Sequence, residues 1–323
     1  MRIARRALIA AAPLLAPDLA ARAQGAWPDR PVRILVPFAA GSTPDVAART
    51  LAPHFQQVFG QPFVVENRPG AGGAIATEQV AKAIDGHTIG VSIGGPASTA
   101  KILNPALTYD PIADLAPIAY LVRMPVVLAV HPSVPAQDMA GFIAHAKANP
   151  GKLNYGSIGA GTIGHLVMAD LAARNGLDMT HVVFRSVPQS VTEIVAGRIE
   201  AMAAVTAAVL GQVKGGGVRG LGISSEQRFP AAPELPTFTE QGQGPAIWTW
   251  IGLFGPASMP ADRVARLGEE AGRAFAAPEA RRALEAAGFE VVAGGPAPLK
   301  AQIASDMERW GGLIRRLGIR VDS

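Results

Sequence analysis

Two strand-like segments near the start of the chain are each followed by a glycine-rich loop, and this arrangement limits the folds available to it. The apolar run 32–38 precedes AAGSTPDVAART, and residues 63–65 precede ENRPGAGGAIATE. Such loops present backbone N–H groups at the start of a helix, where the helix dipole favours negative charge. The sequence therefore predicts strand–loop–helix units that can hold a carboxylate-like or phosphate-like group.

The same alternation of short apolar runs and helical patterns continues along the chain. It predicts an α/β fold with parallel strands, and about 300 residues after a leader suggest two domains. The predicted strands are 32–38, 62–66, 87–93, 126–130 and 153–157, and the predicted helices are 44–59, 73–83, 138–148 and 163–175.

The first helix shows how the pattern directs a loop. Its apolar residues recur at helical spacing, which buries one face against the sheet and fixes the direction of the N-terminus. Either Thr43 is the N-cap with Pro44 at the first helical position, or Ser42 is the N-cap with Asp45 closing a capping box. Both alternatives aim free amides at the first loop.

The N-terminus predicts export. Arg2, Arg5 and Arg6 precede a short apolar stretch, and small residues flank a cleavage point after Ala23. We interpret residues 1–23 as a signal peptide for the Sec or the twin-arginine route, and hence expect a periplasmic protein. The stretch is shorter than the about 20 residues that cross a bilayer, which argues against a permanent anchor.

Composition excludes several classes of function. Removing residues 1–23 takes away four arginines and one aspartate, so the formal net charge falls from +4 to +1. The sequence contains no basic stripe with interleaved aromatic residues, and this argues against a nucleic-acid partner. The chain has no cysteine, and its six histidines are scattered without metal-binding spacing, so we expect neither a metal nor a cofactor.

Two short motifs suggest competing enzymatic functions. Gly159, Gly161 and Gly164 match the dinucleotide fingerprint GxGxxG, with Asp178 at the separation of the ribose-binding acid. We disfavour a nucleotide because the motif lies in the middle of an exported chain. The loop could still bind an anion or a polar group.

The segment Gly90–Gly94 matches the GxSxG nucleophile motif around Ser92, with His165 or His181 as a candidate base and Asp110 or Asp178 as its orienting acid. That motif needs a helix directly after the serine, whereas Gly94-Gly95-Pro96 interrupts the chain here. We therefore expect Ser92 to be a strand residue, and an exported α/β-hydrolase-type enzyme stays the alternative function.

Several longer segments together resemble one family. They are WPDRPVRILVPFAAGSTPDVAAR, VVENRPGAGGAIA, DGHTI, LTYDPIADLAPI, NPGKLNYGSIGAGTIGHL, VTEIVAGRIEAM and IGLFGPASMP, in order over residues 27–323. These segments closely resemble the corresponding segments of the extracytoplasmic solute receptors of tripartite tricarboxylate transport, the Bug family.

The resemblance implies a two-lobe type II periplasmic-binding-protein fold with a ligand cleft between the lobes. We expect lobe 1 over 27–125 plus 248–323 and lobe 2 over 126–247, with crossing strands at 125–130 and 247–254. It also implies a monomer that holds a small organic acid by its carboxylate and delivers it to membrane transporter subunits; a ligand-sensing partner of a signalling protein is a second alternative. The implied ligand-binding residues are Phe38, Ala39, Gly41, Ser42, Thr43, Asp45, Gly95, Pro96, Ser98, Ser157, Gly161, Thr162 and His165.

The chain also departs from the family pattern. Pro44 stiffens the first loop, and Ala204 lies in a stretch where many members carry an acidic or amide residue. Where the family usually has Tyr-Lys-Gly, this chain has Phe184-Arg185-Ser186. Arg185 therefore keeps the positive charge, while the tyrosine hydroxyl and the glycine are absent. We add Arg185 and Ala204 to the predicted site, give Arg68 and Pro69 a structural role, and expect a ligand with one carboxylate end and a less polar body.

Overall fold

The computed structural model describes residues 27–321, so the predicted signal peptide lies outside the described residues. Short strands alternate with helices along most of the chain, as the sequence predicts. The strands are β1 (Val32–Val36), β2 (Phe63–Asn67), β3 (Thr88–Ile93), β4 (Leu115–Val130), β5 (Leu153–Ser157), β6 (Met179–Val183), β7 (Ala201–Val205), β8 (Arg219–Ile223), β9 (Trp248–Pro256) and β10 (Glu290–Gly294).

The helices pack on both faces of the strands. Between β3 and the third helix, the chain makes a further helical turn, Gly95–Thr99. The helices are α1 (Thr43–Phe59), α2 (Ala74–Ala81), α3 (Ala100–Leu103), α4 (Met139–Ala148), α5 (Ile163–Asn175), α6 (Val187–Val195), α7 (Thr206–Lys214), α8 (Ala261–Ala276), α9 (Pro278–Ala286) and α10 (Pro296–Leu317).

Two groups of parallel strands are joined by antiparallel ones. β1 pairs in parallel with β2 and β3, and β5 pairs in parallel with β6 and β7. The long strand β4 pairs with β9 from Leu115 to Pro125 and with β7 from Val126 to Val130. One strand thus changes sheet partners along its length and connects the two halves. The exact lobe boundaries stay a prediction.

Each half has an apolar core. In the first, Leu51 and Phe55 of α1 and Phe275 of α8 are fully buried against the sheet. Burial of one such side chain stabilises the fold by about 2 kcal/mol. In the second, Phe142 and Met168 pack from α4 and α5.

Helix α10 contributes to both halves. Its Leu299 and Ile303 pack in a cluster with Trp250 of β9. Two turns later, Trp310 and Ile314 pack in the core of the second half. The last helix therefore crosses the junction and contributes side chains to the space between the halves.

Candidate functional site

A cleft of about 290 Å³ lies between the two halves. It is bordered by the loops that follow β3 and β5, which is where α/β sheets usually bind ligands. One side of the cleft is formed by 71–74 and 93–100, and the other by 158–163 and Leu166; side chains from β9 and α10 complete it.

The loop after β5, residues 158–162, is the second glycine loop, and it gives the cleft its polar lining. Gly159 and Gly161 have φ values of 131° and 74°, a backbone region that favours glycine. Thr162 is the N-cap of α5, but its hydroxyl donates to the Gly159 carbonyl at 2.7 Å and makes no capping bond. The first amides of α5 therefore have no side-chain cap and lie at the edge of the cleft, where an anion can accept from them.

Two stacked imidazoles support this loop from behind. The rings of His165 and His181 lie 4.2 Å apart between centroids, and Tyr155 stacks on His181 at 4.9 Å. The Gly161 amide donates to Nδ1 of His165 at 3.1 Å, so the ring proton of neutral His165 is on Nε2. Ser157 Oγ lies 2.6 Å from Nε2 of His181.

Both rings are neutral at neutral pH. Burial, followed by the neighbouring His181, lowers the pKa of His165 to about 4. Burial also lowers the pKa of His181. The second loop is therefore held by hydrogen bonds between neutral groups, and protonation of His165 at Nδ1 would remove the acceptor of the Gly161 amide.

The loop after β1, residues 37–42, is the first glycine loop, and it is held by a carboxylate instead. Asp45 is almost fully buried and accepts hydrogen bonds from the Gly41 amide, Nε of Arg49 and Nδ2 of Asn67, each at 2.9 Å. Burial opposes its ionisation, but the bonds from Arg49, Gly41 and Asn67 together hold the pKa of Asp45 below its usual range. Nδ2 of Asn67 also donates to the Phe38 carbonyl, which ties ENRPGAGG to the first loop.

The start of α1 differs from both expected capping patterns. Ser42 is the N-cap, yet its hydroxyl makes no capping bond and has no hydrogen-bond partner among residues 27–321. The predicted capping box is wrong. In such a box the Ser42 amide would donate to the Asp45 carboxylate, whereas here the Gly41 amide does so. This helix therefore also begins with amides that lack a side-chain cap.

The loop after β3 faces the second loop across the cleft. A Cβ atom built on Gly95 would lie 3.7 Å from the carbonyl oxygen of Gly161. The Ser98 hydroxyl donates to the Gly94 carbonyl, and the Tyr109 hydroxyl donates to the Pro96 carbonyl at 2.8 Å. These bonds fix the turn Gly95–Thr99 opposite the N-terminus of α5.

An acid and three tryptophans line the remaining wall. Trp250 Nε1 donates to Asp306 at 2.7 Å, and Gln302 donates to the other carboxyl oxygen at 3.0 Å. Burial raises the pKa of Asp306 to about 6, although the bonds from Trp250 and Gln302 favour its ionised form. Trp248 and Trp310 extend this wall on either side.

Five of the predicted site residues line the cleft: Gly95, Pro96, Ser98, Gly161 and Thr162. Ser157 and His165 support the second loop from behind, and Asp45 supports the first. The other predicted residues do not line the cleft, and their contact with a ligand stays a prediction; they are Phe38, Ala39, Gly41, Ser42 and Thr43 of the first loop, Arg185 before α6, and Ala204 on β7.

The wall formed by Trp250, Asp306 and Trp310 is not among the predicted site residues. A signal for it existed in α10, where Ile303, Asp306 and Trp310 recur at helical spacing on the buried face. An acidic residue on an apolar helix face is uncommon unless it has polar partners. The partners come from distant segments, which the sequence alone does not bring together.

The GxSxG and GxGxxG motifs do not have the surroundings that they have in hydrolases and in dinucleotide-binding proteins. Ser92 Oγ lies buried within β3, 3.0 Å from the Thr77 hydroxyl, and no histidine of the described chain is within hydrogen-bonding distance of it. Asp178 lies beside Gly151 at the start of β5, the opposite end from the GxGxxG loop. Arg68 bonds Glu66 on β2 at 2.9 Å, away from the cleft lining.

Other site classes find no support in the part of the chain that the structure describes. Residues 27–321 contain no group of three or more histidine and acidic side chains arranged to hold a metal ion. Within the same range, no helix is long and apolar enough to cross a membrane.

Two α/β halves around a cleft, with helix N-termini at its edge, define a solute-binding protein of the periplasmic type. Residues 47–319 match the model of the tripartite tricarboxylate transporter family receptor, and the chain belongs to that family. The predicted resemblance is confirmed, and the chain is a solute receptor of this family.

Relatives and solved structures agree with this assignment. The chain is 36% identical to a "UPF0065 protein in tcbD-tcbE intergenic region" from Pseudomonas sp. strain P51, over 97% of this chain and 94% of that one. It is 30% identical to BugT of Bordetella pertussis, over 91% of each chain.

Two structures from Rhodopseudomonas palustris show the same two-lobe fold. Rpa4515 with adipate is 28% identical with a TM-score of 0.85, over 91% of this chain and 99% of that one. MatC with bound malate is 30% identical with a TM-score of 0.82, over 89% of this chain and 100% of that one. The predicted fold class is therefore confirmed.

Proposed function

We propose that this chain is an exported receptor that binds a small organic acid in the cleft and delivers it to a membrane transporter of the tripartite tricarboxylate type. The observation that carries the proposal is the start of α5, where uncapped amides meet the turn Gly95–Thr99 across the cleft. The adipate-bound and malate-bound relatives support a carboxylate as the group received there.

The behaviour of other helices strengthens the role of α5. Asp138 and Ser186 cap α4 and α6 with their own side chains, so N-cap residues of this chain do form capping bonds elsewhere. Ser42 and Thr162, at the starts of the helices that follow the two glycine loops, do not. We assign the α5 amides to the carboxylate and give the first loop a supporting role.

The experiment is calorimetry of the purified chain with hexanoate and with hexanamide, which has the same apolar body without the charge. A thermal-shift screen tests further acids of different size and charge, namely adipate, malate, citrate and benzoate. It detects binding because a specific ligand raises Tm by mass action. We expect at least one acid to bind and the amide to bind at least tenfold more weakly than hexanoate. Equal binding of the amide, or no binding by any acid, would overturn the proposal.

The receptor function also implies export and no turnover. We expect the protein in the periplasmic fraction of an expressing cell, with an N-terminus that starts at Gln24. We further propose that Ser92 has no catalytic role, because its hydroxyl lies beside Thr77. Hydrolysis of an ester substrate that disappears in Ser92→Ala would favour the hydrolase alternative.

A further inference from the structure

The cleft has an unusual charge pattern for an organic-acid site. Among residues 27–321, no lysine, arginine or histidine lines it, and Asp306 is the single ionisable side chain that does. Most of the lining is apolar. Its apolar side chains include Leu103, Leu166 and the three tryptophans Trp248, Trp250 and Trp310.

The nearest cations are committed to other partners. Arg123 forms an ion pair with Glu290 at 2.6 Å and lies over the ring of Trp248, 3.9 Å from the ring centroid. Arg309 donates to the Ala246 carbonyl at 2.7 Å, and Lys101 donates to the Leu107 carbonyl. Neutral amides and hydroxyls are therefore what the cleft offers to an anion, and they suit a single carboxylate.

Asp306 places a negative group on another wall of the cleft, the one formed by β9 and α10. Its side chain is buried, and its oxygens accept from Trp250 and Gln302. Arg309 is not hydrogen-bonded to it but acts on it through space and favours its ionised, negative form. One oxygen lies 2.8 Å from the position that a Cβ atom on Gly94 would take, so the carboxyl group reaches the strand-end loop. A second ligand carboxylate at this wall would meet a like charge in a medium of low dielectric constant.

We infer that the cleft selects monocarboxylates with an apolar body and that Asp306 rejects a second carboxylate. The inference rests on the proposed function and narrows its substrate class. The single carboxylate meets the amides of α5, and the apolar body packs against Leu103, Leu166 and the tryptophans of the wall formed by β9 and α10. The adipate-bound relative shows that the fold admits diacids, so the selection depends on this chain's own lining.

The test uses two matched pairs of ligands at pH 7.5, hexanoate against adipate and benzoate against terephthalate. The members of each pair share a carbon skeleton and differ by one carboxylate. Calorimetry is the primary measurement, and quenching of the fluorescence of the three cleft tryptophans is the second. We expect the monoacid of at least one pair to bind at least tenfold more tightly than its diacid.

The variant Asp306→Asn tests the acid itself. The asparagine oxygen can still accept from Trp250. If the side-chain amide of Gln302 rotates by half a turn, its oxygen can accept from the asparagine NH2 group, so the wall is retained without the charge. We expect adipate to bind at least fivefold more tightly to the variant and hexanoate to change less than threefold. Glu308→Gln is the control, since it removes the same charge from the exposed face of the same helix, and both acids should bind it as they bind the wild type.

The outcomes separate the two proposals. If, in every pair that binds, the diacid binds the wild type as tightly as its monoacid or more tightly, the monoacid inference is wrong while the receptor function stands. If neither pair nor any other acid binds, the proposed function fails. A wild-type preference that Asp306→Asn leaves unchanged would overturn the role of Asp306, and the wild-type ratio alone decides the ligand class if the variant does not fold.

Discussion

The first glycine loop, after β1, and the second, after β5, have the same strand–loop–helix arrangement. They differ in the groups that hold them, which are a charged carboxylate in the first and neutral side chains in the second. Both leave the carboxyl end of a parallel strand and open a helix whose N-cap side chain makes no capping bond. The first loop is fixed by the buried carboxylate of Asp45, which accepts from Gly41, Arg49 and Asn67. The second is fixed by the neutral side chains of Ser157, His165 and His181.

The difference indicates which loop can receive an anion. The first loop already contains a carboxylate that occupies its glycine amide, and it does not line the cleft. The second loop has no internal anion, and 158–163 line the cleft. A glycine-rich loop before a helix therefore marks a potential anion site, and the side chains around it decide whether the site is open to a ligand.

The largest expected effect is that of Gly161→Ala. Its φ of 74° strains any side chain, and the new Cβ would lie 2.1 Å from Leu103, a residue of the cleft wall. Strain and overpacking together should lower the free energy of unfolding by about 3 kcal/mol. Because Leu103 must move, affinity for the bound acid should fall at least tenfold in calorimetry.

Gly41→Ala is the matched control. It has the same kind of backbone, with φ of 80°, and no atom within 4 Å of the new Cβ. Urea unfolding should show a loss of about 1 kcal/mol from backbone strain alone. Affinity should stay within twofold of the wild type. A loss of affinity equal to that of Gly161→Ala would place the first loop at the ligand and contradict our comparison.

The next effect should come from Asp45→Ala. Removing the carboxylate leaves the Gly41 amide and one N–H of the Asn67 side chain without their acceptor, which should cost about 2 kcal/mol of unfolding free energy. Binding should weaken less than in Gly161→Ala. Ser42→Ala, one turn away on the same loop, should serve as a control for disturbance of the backbone. A variant with unchanged stability would mean that Asp45 does not hold the loop.

A third effect concerns pH. His165 has a folded pKa of about 4 and an ordinary value near 6.5, so the unfolded chain takes up a proton that the folded chain refuses. The contribution of His165 to the free energy of unfolding should therefore fall as pH drops from 6.5 towards 4, by about 1.4 kcal/mol per pH unit. Asp306 acts in the opposite direction: its pKa of about 6 lies above the ordinary value, so its contribution is lost as pH rises through 6.

His165→Asn isolates the histidine, because asparagine can still accept from the Gly161 amide while it has no titration in this range. Between pH 7.5 and 5.5 the wild type should lose about 1.4 kcal/mol more than the variant in urea unfolding. Asp306 is present in both proteins, so its contribution cancels. Equal losses would show that the second loop does not depend on a neutral His165. The first loop should not respond in this range, since the pKa of Asp45 is held below its usual value.

The sequence predicts the local units well because local pattern determines them. The apolar run before AAGSTPDVAART becomes β1 and the following helical pattern becomes α1, and the pattern around Ser157 becomes β5 and α5. It does not predict β6, β7, β8, β10 or the first half of β4, since these strands are defined by pairing with distant segments of the chain. The site divides in the same way.

The glycine loops could be found from the sequence because backbone geometry requires glycine there. Which loop is open to a ligand could not be found, since that depends on Asn67 and Asp45 meeting at one loop and His181 and Ser157 meeting at the other. Asp306 and Trp250 are 56 residues apart and meet only in the folded chain. Local sequence signals do not carry such contacts.

The smallest expected effect compares the two N-cap hydroxyls. The Thr162 hydroxyl donates to the Gly159 carbonyl at 2.7 Å, whereas the buried Ser42 hydroxyl has no partner among residues 27–321. Thr162→Val keeps the shape and should cost about 1 kcal/mol of unfolding free energy, because one hydrogen bond is lost within the loop. Ser42→Ala should be neutral or slightly stabilising, since it removes a polar group that makes no bond. The measurement is the urea midpoint of both variants at pH 7.5, with calorimetry on the same samples. If Ser42→Ala destabilises more than Thr162→Val, its hydroxyl has a partner in solution, and the first loop would then be the better candidate for the ligand.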